Sequence, residues 1–383
     1  MTSITAVDLA KRIAATTLAP AATENDRLGR FSSEAAEALA RAGLLGMMLP
    51  ADVGGGALGP RAFADVVAAL AEADASVAMV FLMHTLAALT IAAARRTPAV
   101  ERVLVDIAGG RHLSTLAFSE AGSRSHFWAP VSRAIPLNGN SAKISARKSF
   151  VTGAGHVQSY VTSALAPSGA GPTDSTLYLV DATSPGVTVS AAWDGLGLRA
   201  NASSPVILDG CIVPNDLRLT DDGAGFAAML NIVLPLFNIG QAAVSLGICR
   251  AAVAATTAHL KTARFEHLGA TIGEALPNLR AQLATMQIDT DGLSARVDDA
   301  LKHLESPGDL TMLRVLEIKA AGSETAIAVT ALAMRTCGGA ALSRQNGIER
   351  LFRDAQAGAV MAPTTDVLRE FIGKSLLGLP LFG

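Results

Sequence analysis

A change of hydrophobic period near residue 114, reversed near residue 222, constrains this chain more than any other feature. Before it, apolar residues recur at the three-to-four spacing of helices. Between the two points lie STLAFSE, AKISARKSFVTG, SYVTSALAP, STLYLVDA, GVTVSAAWD and SPVILDGCIV. These are short, rich in β-branched and aromatic residues, and divided by Gly, Pro, Asn and Asp clusters. Beyond them the helical spacing returns and lasts to the end. The pattern predicts an N-terminal all-α domain over 1–113 and a small central β-barrel or sandwich over 114–222. A C-terminal four-helix bundle over 223–383 follows.

Within the first part, FSSEAAEALARAGLLGMMLP predicts a helix capped by Ser32 or Ser33, with Gly46 near its end. Residues 61–96 predict two helices broken near residues 74–76. The second, around 77–94, is apolar almost all round, as a helix buried on several sides must be. In the β segment, Asn-Gly-Asn at 138–140 predicts a hairpin turn. In the last part, Gly240, Ala242, Ala243, Ser245 and Gly247 allow close helix packing, and Pro235 is placed near a first helical turn.

The composition excludes several classes of function. Half of the 383 residues are apolar and 17% are charged, which predicts a large helical interior or an extensive interface between copies. A net charge of −2 gives no footprint for nucleic acid. Cys211, Cys249 and Cys337 lie far apart with no CxxC pair, so neither a disulfide framework nor a metal site is expected. No leader-like N-terminus and no uninterrupted apolar run of about 18 residues is present. These observations predict a cytoplasmic protein with no membrane partner.

The piece richest in chemistry is residues 116–155, LAFSEAGSRSHFWAPVSRAIPLNGNSAKISARKSFVTGAG. A small hydroxyl-bearing loop with Ser119, Gly122, Ser123 and Ser125 leaves an apolar strand, and its backbone N–H groups and hydroxyls suit a phosphate or a polar ring edge.

In motif order the chain resembles the acyl-CoA dehydrogenase family of flavoproteins over essentially its full length. LAFSEAGSRSH resembles the family's TEPGAGSD segment, with Ala121 for Pro and His126 for the final Asp. KSFVTGAG resembles its K-x-W/F-I-T-N-A/G segment, and LGLRANASSPVILDGCIVPNDL its LGxRxS…VPxxNxL segment. CGGAALSRQNGIERLFRD resembles GGxGxxxxxPxERxxRD, and MAPTTD falls on the YEGTxxI flavin loop.

The resemblance implies FAD held at a subunit interface, its ring against the β domain. Carried over position by position, Leu116, Phe118, Ser119, Ser125, Phe150, Val151 and Thr152 flank the flavin, with Thr152 the donor near N5. Ser125 also lies near the substrate. Arg264 stands beside the position of a usual flavin-contacting Arg, which falls on Phe265. Arg335, Gly338 and Gly339 approach the FAD of a neighbouring subunit, and Thr364 and Asp366 lie at the flavin loop. The implied partners are an acyl thioester carried by CoA or a carrier protein, and an electron-transfer flavoprotein or reductase. A homodimer or homotetramer is expected.

One departure bears on the reaction. Loss of an α proton from a thioester needs a base within about 3 Å. The family's usual Glu falls on Ala362, the alternative base position on Val233, and the Arg that follows it on Leu234. The catalytic base is therefore unassigned, with Asp366, His126 and His84 as candidates. Each has a plainer reading: a helix N-terminal charge, a solvent-facing ring and a hydrogen-bonded core histidine. Glu120, and the set Arg350, Arg353 and Asp354, read as structural contacts. Three functions remain open: oxidation of the CH–CH group of an acyl thioester with hydride transfer to flavin N5, a flavin monooxygenase on the same scaffold, and a redox-silent relative.

Overall fold

The structure is a computed structural model that describes residues 1–124, 126–344 and 346–382. Six helices open the chain: α1 Ser3–Ile13, α2 Ala19–Leu28, α3 Ser33–Arg41, α4 Pro60–Ala73, α5 Ala75–Ala92 and α6 Pro98–Ala108. Ser32 caps α3 by accepting from the Ala35 N–H at 3.3 Å. The helix ends earlier than expected, at Arg41, because Gly43 (φ 71) reverses the chain. There the N–H of Leu44 reaches back to the Leu39 carbonyl and that of Gly43 to Ala40, and Gly46 lies beyond the stop. Between α4 and α5 the break falls where expected: the buried Asp74 carboxylate accepts from the Ser76 and Val77 N–H groups at 2.9 and 3.3 Å. Helix α5 is buried on nearly every side, and Thr85 and Thr90 turn their hydroxyls onto the carbonyls of Phe81 and Leu86.

Two sheets follow. One has the order β1-β4-β5 (β1 Ser114–Ala117, β4 Ser159–Leu165, β5 Ser175–Asp181), with β1 parallel to β4 and β5 antiparallel to it. The other has the order β2-β3-β7-β6 (β2 Ile135–Leu137, β3 Ser141–Val151, β6 Val187–Val189, β7 Ser204–Pro214), antiparallel throughout. They pack as a sandwich with β1 beside β3 and β5 beside β7. Strand β3 alternates buried and exposed residues, whereas β4 and β5 are buried almost throughout. Asn138 (φ 47) and Gly139 (φ 69), both left-handed, are the central residues of the β2–β3 turn, which the Asn140 N–H closes onto the Leu137 carbonyl at 3.2 Å. The three-residue β2 was too short to register in the sequence pattern.

The helices then return as α7 Gly225–Ala228, α8 Leu234–Thr262, α9 Ile272–Ala275, α10 Pro277–Glu305, α11 Thr311–Cys337, α12 Ile348–Val360 and α13 Thr365–Leu376. A small hairpin of β8 Arg264–Phe265 and β9 Ala270–Thr271 lies between α8 and α9. Pro235 lies in the first turn of α8, as expected. A turn of π-helix at Met229–Val233 joins α7 to α8, and its wider spacing precedes the residue that lacks an N–H. Helix α8 runs through the centre, packed on α4, α5, α10, α11 and α12. A Cβ at Gly240 would lie 2.6 Å from Leu82, and one at Gly247 2.5 Å from the Ala68 carbonyl, so these two glycines set how close α8 comes to α5 and α4.

Three helical runs, Ala75–Ala92, Gly225–Thr262 and Thr311–Leu342, are long and apolar enough by length and composition to cross a membrane. Burial inside the fold accounts for 83% and 89% of the first two and 39% of the third.

Candidate functional site

A cavity of about 620 Å³ opens where helices and sheets meet. Met79 and Met83 of α5 form one wall, and Leu116, Phe118, Ser119, Glu120, Ala121, Arg124 and Phe127 come from β1 and the loop after it. Ser149, Phe150 and Thr152 come from the end of β3; Trp193, Gly197, Leu198, Asn201 and Ser203 come from the loop before β7. Val233, Phe237, Ala357, Val360, Met361, Ala362 and Thr364 close it from the C-terminal helices.

The sheet wall is set by a buried ion pair. The Lys148 ammonium, fully buried, donates to Glu120 Oε1 at 2.7 Å and to the Ser163 and Phe118 carbonyls at 2.6 and 3.3 Å. Glu120 also accepts from the Ser132 hydroxyl at 2.6 Å and from the Ser132 and Val131 N–H groups. Burial raises its pKa, but Lys148 and these donors outweigh that, and the carboxyl stays below its ordinary value. Glu120 is thus an ionised structural group, as its place in the sequence suggested.

Just beyond this pair β3 slips register between Lys148 and Val151, and Phe150 takes φ 54. A bulky residue adopts that conformation at a cost of about 1–2 kcal/mol. Here it turns the ring into the cavity, 70% exposed and edge-on to Trp193 with centroids 6.2 Å apart. The following Thr152 shares a hydrogen bond with Ser203, oxygens 3.1 Å apart. One hydroxyl proton serves that bond and the other is left to a ligand.

The loop that carries Trp193, Leu198 and Ser203 is held from behind. Asp354, on α12, accepts from the Leu198 N–H at 2.6 Å, and burial pushes its pKa up to about 7. Arg353 bridges Asp26 (2.6 Å), Glu349 (2.6 Å) and the Leu196 carbonyl (2.9 Å), tying α2, α12 and this loop together. Arg350 donates to the Ala73 carbonyl. On the helical wall, Lys319 of α11 is buried and donates to the carbonyls of Gly358, Met361 and Pro363 at 2.9, 3.2 and 2.8 Å, although burial pulls its pKa down to about 7. It anchors the turn that carries Met361 and Ala362.

Of the predicted cofactor residues, the cavity gathers Leu116, Phe118, Ser119, Phe150, Thr152 and Thr364. Thr364 also caps α13, accepting from the Val367 N–H. Val151 alternates away into the core. Ser125 lies outside the described residues. Arg264 is turned onto the Gly269 carbonyl of its own hairpin (2.7 Å), not into the cavity. Arg335, Gly338 and Gly339 are exposed and do not line it.

The three candidate bases take their plainer readings. His84 is a core histidine: its Nδ1 accepts from the Ser114 N–H (3.0 Å) and its Nε2–H donates to the Leu45 carbonyl (3.1 Å). Burial pushes its pKa down to about 4. Asp366 stands in the first turn of α13 with its side chain 94% exposed, 3.8 Å from Arg369 and outside the cavity, where a carboxylate suits the helix dipole. His126 stacks on Trp128, centroids 5.0 Å apart, and is otherwise exposed. Ala362 and Val233, where the resemblance places a base, do both face the cavity. Sequence reasoning missed Met79, Met83, Arg124, Trp193, Asn201 and Ser203. Asn201 and Ser203, inside the ANASSP piece of one recognised motif, and Arg124, inside LAFSEAGSRSH, carried a signal that could have found them.

The donor set fits a flavin. Aromatic and aliphatic walls suit a flat apolar ring, and the Thr152–Ser203 hydroxyls suit its polar edge. The strained, exposed Phe150 is otherwise a cost without return.

Fold and cavity together define a flavoprotein of the helix–sheet–helix kind. Family profiles described as Acyl-CoA dehydrogenase, N-terminal domain, middle domain and C-terminal domain match residues 4–111, 115–211 and 223–377. The chain is 26% identical to a cyclohex-1-ene-1-carbonyl-CoA dehydrogenase of Geobacter metallireducens over 97% of both proteins. It is 30% identical to an L-evernosamine nitrososynthase of a Micromonospora species, over 94% of this chain and 86% of that protein. The solved butyryl-CoA dehydrogenase of Megasphaera elsdenii superimposes with a TM-score of 0.91, covering 98% of this chain and 99% of that one at 23% identity. The chain belongs to the acyl-CoA dehydrogenase family, and its cofactor is FAD.

Proposed function

We propose that this protein is an FAD-dependent monooxygenase built on the acyl-CoA dehydrogenase scaffold. The observation that carries the reading is the chemistry of the cavity wall. Both positions that bear a base in the resemblance are apolar, Ala362 and Val233, and the one carboxylate among the described lining residues, Glu120, is committed to Lys148 and Ser132. Neither Ala nor Val accepts a proton, and the loss of a general base typically lowers a rate by about 10²–10⁴. Reaction of a reduced flavin with oxygen needs no such base. Similarity to a nitrososynthase at 30% identity supports the same choice.

Bound and reduced, FAD supplies the two electrons with which one atom of O₂ enters the substrate and the other leaves as water; NAD(P)H, through a reductase, is the source of those electrons. The chain's own residues bind and exclude. Phe150 and Trp193 would pack against the ring, the Thr152–Ser203 pair would donate its one remaining hydroxyl proton to the ring's edge, and Met79, Met83, Val233 and Phe237 would keep water from the reacting face. The exposed face of α11, with Arg335, Gly338 and Gly339 at its end, supports a homodimer or homotetramer. The three buried free thiols support a cytoplasmic location.

A second reading, oxidation of the CH–CH group of an acyl thioester with hydride passing to flavin N5, is favoured by the match to cyclohex-1-ene-1-carbonyl-CoA dehydrogenase over 97% of both chains. It needs a base from beyond the described cavity wall and an electron-transfer flavoprotein as acceptor. The test is oxygen uptake by FAD-loaded protein given NADH and a flavin reductase, with candidate amines and thioesters. Uptake above the reductase background, with ¹⁸O from ¹⁸O₂ in the product, supports the monooxygenase; oxidised product free of ¹⁸O excludes it. Protein that takes up no FAD returns the reading to a redox-silent relative.

A further inference from the structure

One charge in the cavity is unanswered. Glu120 and Arg124 are the only charged residues among the described lining residues. Glu120 is neutralised by the buried Lys148. The Arg124 guanidinium makes no hydrogen bond or ion pair with any described residue. Other arginines near the cavity are tied down: Arg133 to the Ala166, Pro167 and Gly169 carbonyls, Arg199 to Asp26 and Gly195, and Arg353 to Asp26 and Glu349. The described residues of the cavity wall, with Lys148 behind them, therefore carry a net positive charge.

Arg124 is also held there at a backbone cost. Its φ is +52, a left-handed conformation that disfavours an L side chain by about 1–2 kcal/mol. The turn before it is closed by the buried Ser123, whose hydroxyl accepts from the Glu120 N–H and donates to the Glu120 carbonyl, both at 3.0 Å. The position of the arginine is thus fixed through the same Glu120 that Lys148 anchors. A guanidinium presents paired N–H donors that match two oxygens of a phosphoryl or carboxylate group.

We propose that Arg124 anchors an anionic group, phosphoryl or carboxylate, on the substrate that enters this cavity. This rests on the cavity being the oxidation site, as proposed above. It narrows the substrate class to molecules that carry a fixed negative charge.

The experiment uses the full FAD-loaded protein and compares wild type with Arg124→Gln, Arg124→Gly and Arg124→Lys. Coenzyme A, inorganic pyrophosphate and malonate are the anionic probes, and pantetheine is the uncharged one. Binding is read by calorimetry and by perturbation of the flavin spectrum, without turnover. At least one anion binds wild type, and its Kd rises about 10–100-fold in the Gln and Gly variants, the range of a charge-assisted hydrogen-bonded pair. The Lys variant recovers part of the loss, while pantetheine binding and FAD affinity stay within about twofold. Arg124→Gly relieves the strained backbone, so a loss of binding in that variant is not a loss of fold. The proposal is overturned if no probe anion binds wild type, or if the variants bind every anion as well as wild type does. It is equally overturned if FAD affinity falls in parallel, which assigns the guanidinium to the flavin's own pyrophosphate. Because no oxygen chemistry is involved, the result stands apart from the oxygen-uptake assay.

Discussion

Replacing Lys148 by Met probes the buried ion pair that shapes the sheet side of the cavity. Met preserves most of the volume and removes the charge with its three hydrogen bonds, to Glu120 Oε1, the Ser163 carbonyl and the Phe118 carbonyl. Removing one partner of a buried pair costs about 3–5 kcal/mol, because the other charge stays buried. Glu120 keeps three donors after the change, from Val131 and Ser132, so the low end of that range, about 3 kcal/mol, is expected. Against a typical total of about 5–15 kcal/mol this is a large fraction. Urea unfolding at pH 7.5 reads it as a lower midpoint with an unchanged slope. The double variant Lys148→Met with Glu120→Gln recovers about 1–2 kcal/mol, since a neutral amide is easier to bury unpaired than a carboxylate. The sign with pH is fixed by Glu120, whose folded pKa lies below its ordinary value. Its contribution is present above the ordinary carboxylate pKa and is lost as pH falls through the folded value. Glu120→Gln therefore flattens the acid limb of the stability curve. A Lys148→Met loss below about 1 kcal/mol, or a double variant less stable than the single one, refutes this reasoning.

Three further outcomes follow from the geometry. Phe150→Gly relieves a left-handed backbone, so the apoprotein gains about 1 kcal/mol in urea while FAD binds more weakly; tighter FAD binding contradicts the stacking role. The His84 ring, followed by NMR, stays neutral down to about pH 4; because its folded pKa is depressed, stability is present above about pH 6.5 and falls by roughly 3 kcal/mol towards pH 4, and a titration near 6.5 contradicts its burial. Ala362→Glu puts a carboxylate on the cavity wall and is expected to raise any acyl-CoA-driven flavin reduction by about 10²-fold or more; an unchanged rate means that Ala362 is not placed to act on an α carbon.

How much of this was legible in the sequence differs from element to element. The period change near residue 114 reported the sandwich because β3 alternates buried and exposed residues and β4 and β5, short and rich in β-branched and aromatic residues, are buried almost throughout. Motif order carried six of the flavin-loop positions to one cavity. The rest depended on backbone geometry that no pattern encodes. Phe150 and Arg124 take positive φ without a glycine to announce it. His84 looked like a candidate base because its residue type is reactive, yet the two backbone groups that satisfy it, at Leu45 and Ser114, are distant in sequence. Trp193 and Asn201 lie on a loop that Asp354 and Arg353, far along the chain, hold by the Leu198 N–H and the Leu196 carbonyl. Gly46, expected near the end of α3, lies beyond it because Gly43 reverses the chain three residues earlier.

The central claim is that the described lining residues of the cavity hold no base for α-proton removal, and an anaerobic titration tests it most directly. FAD-loaded wild-type protein is mixed with acyl-CoAs of varied chain length and branching, and the flavin absorbance near roughly 450 nm is followed. The account predicts a flavin that stays oxidised with every thioester and is reduced by NADH once a reductase is added. Rapid bleaching by any acyl-CoA contradicts it.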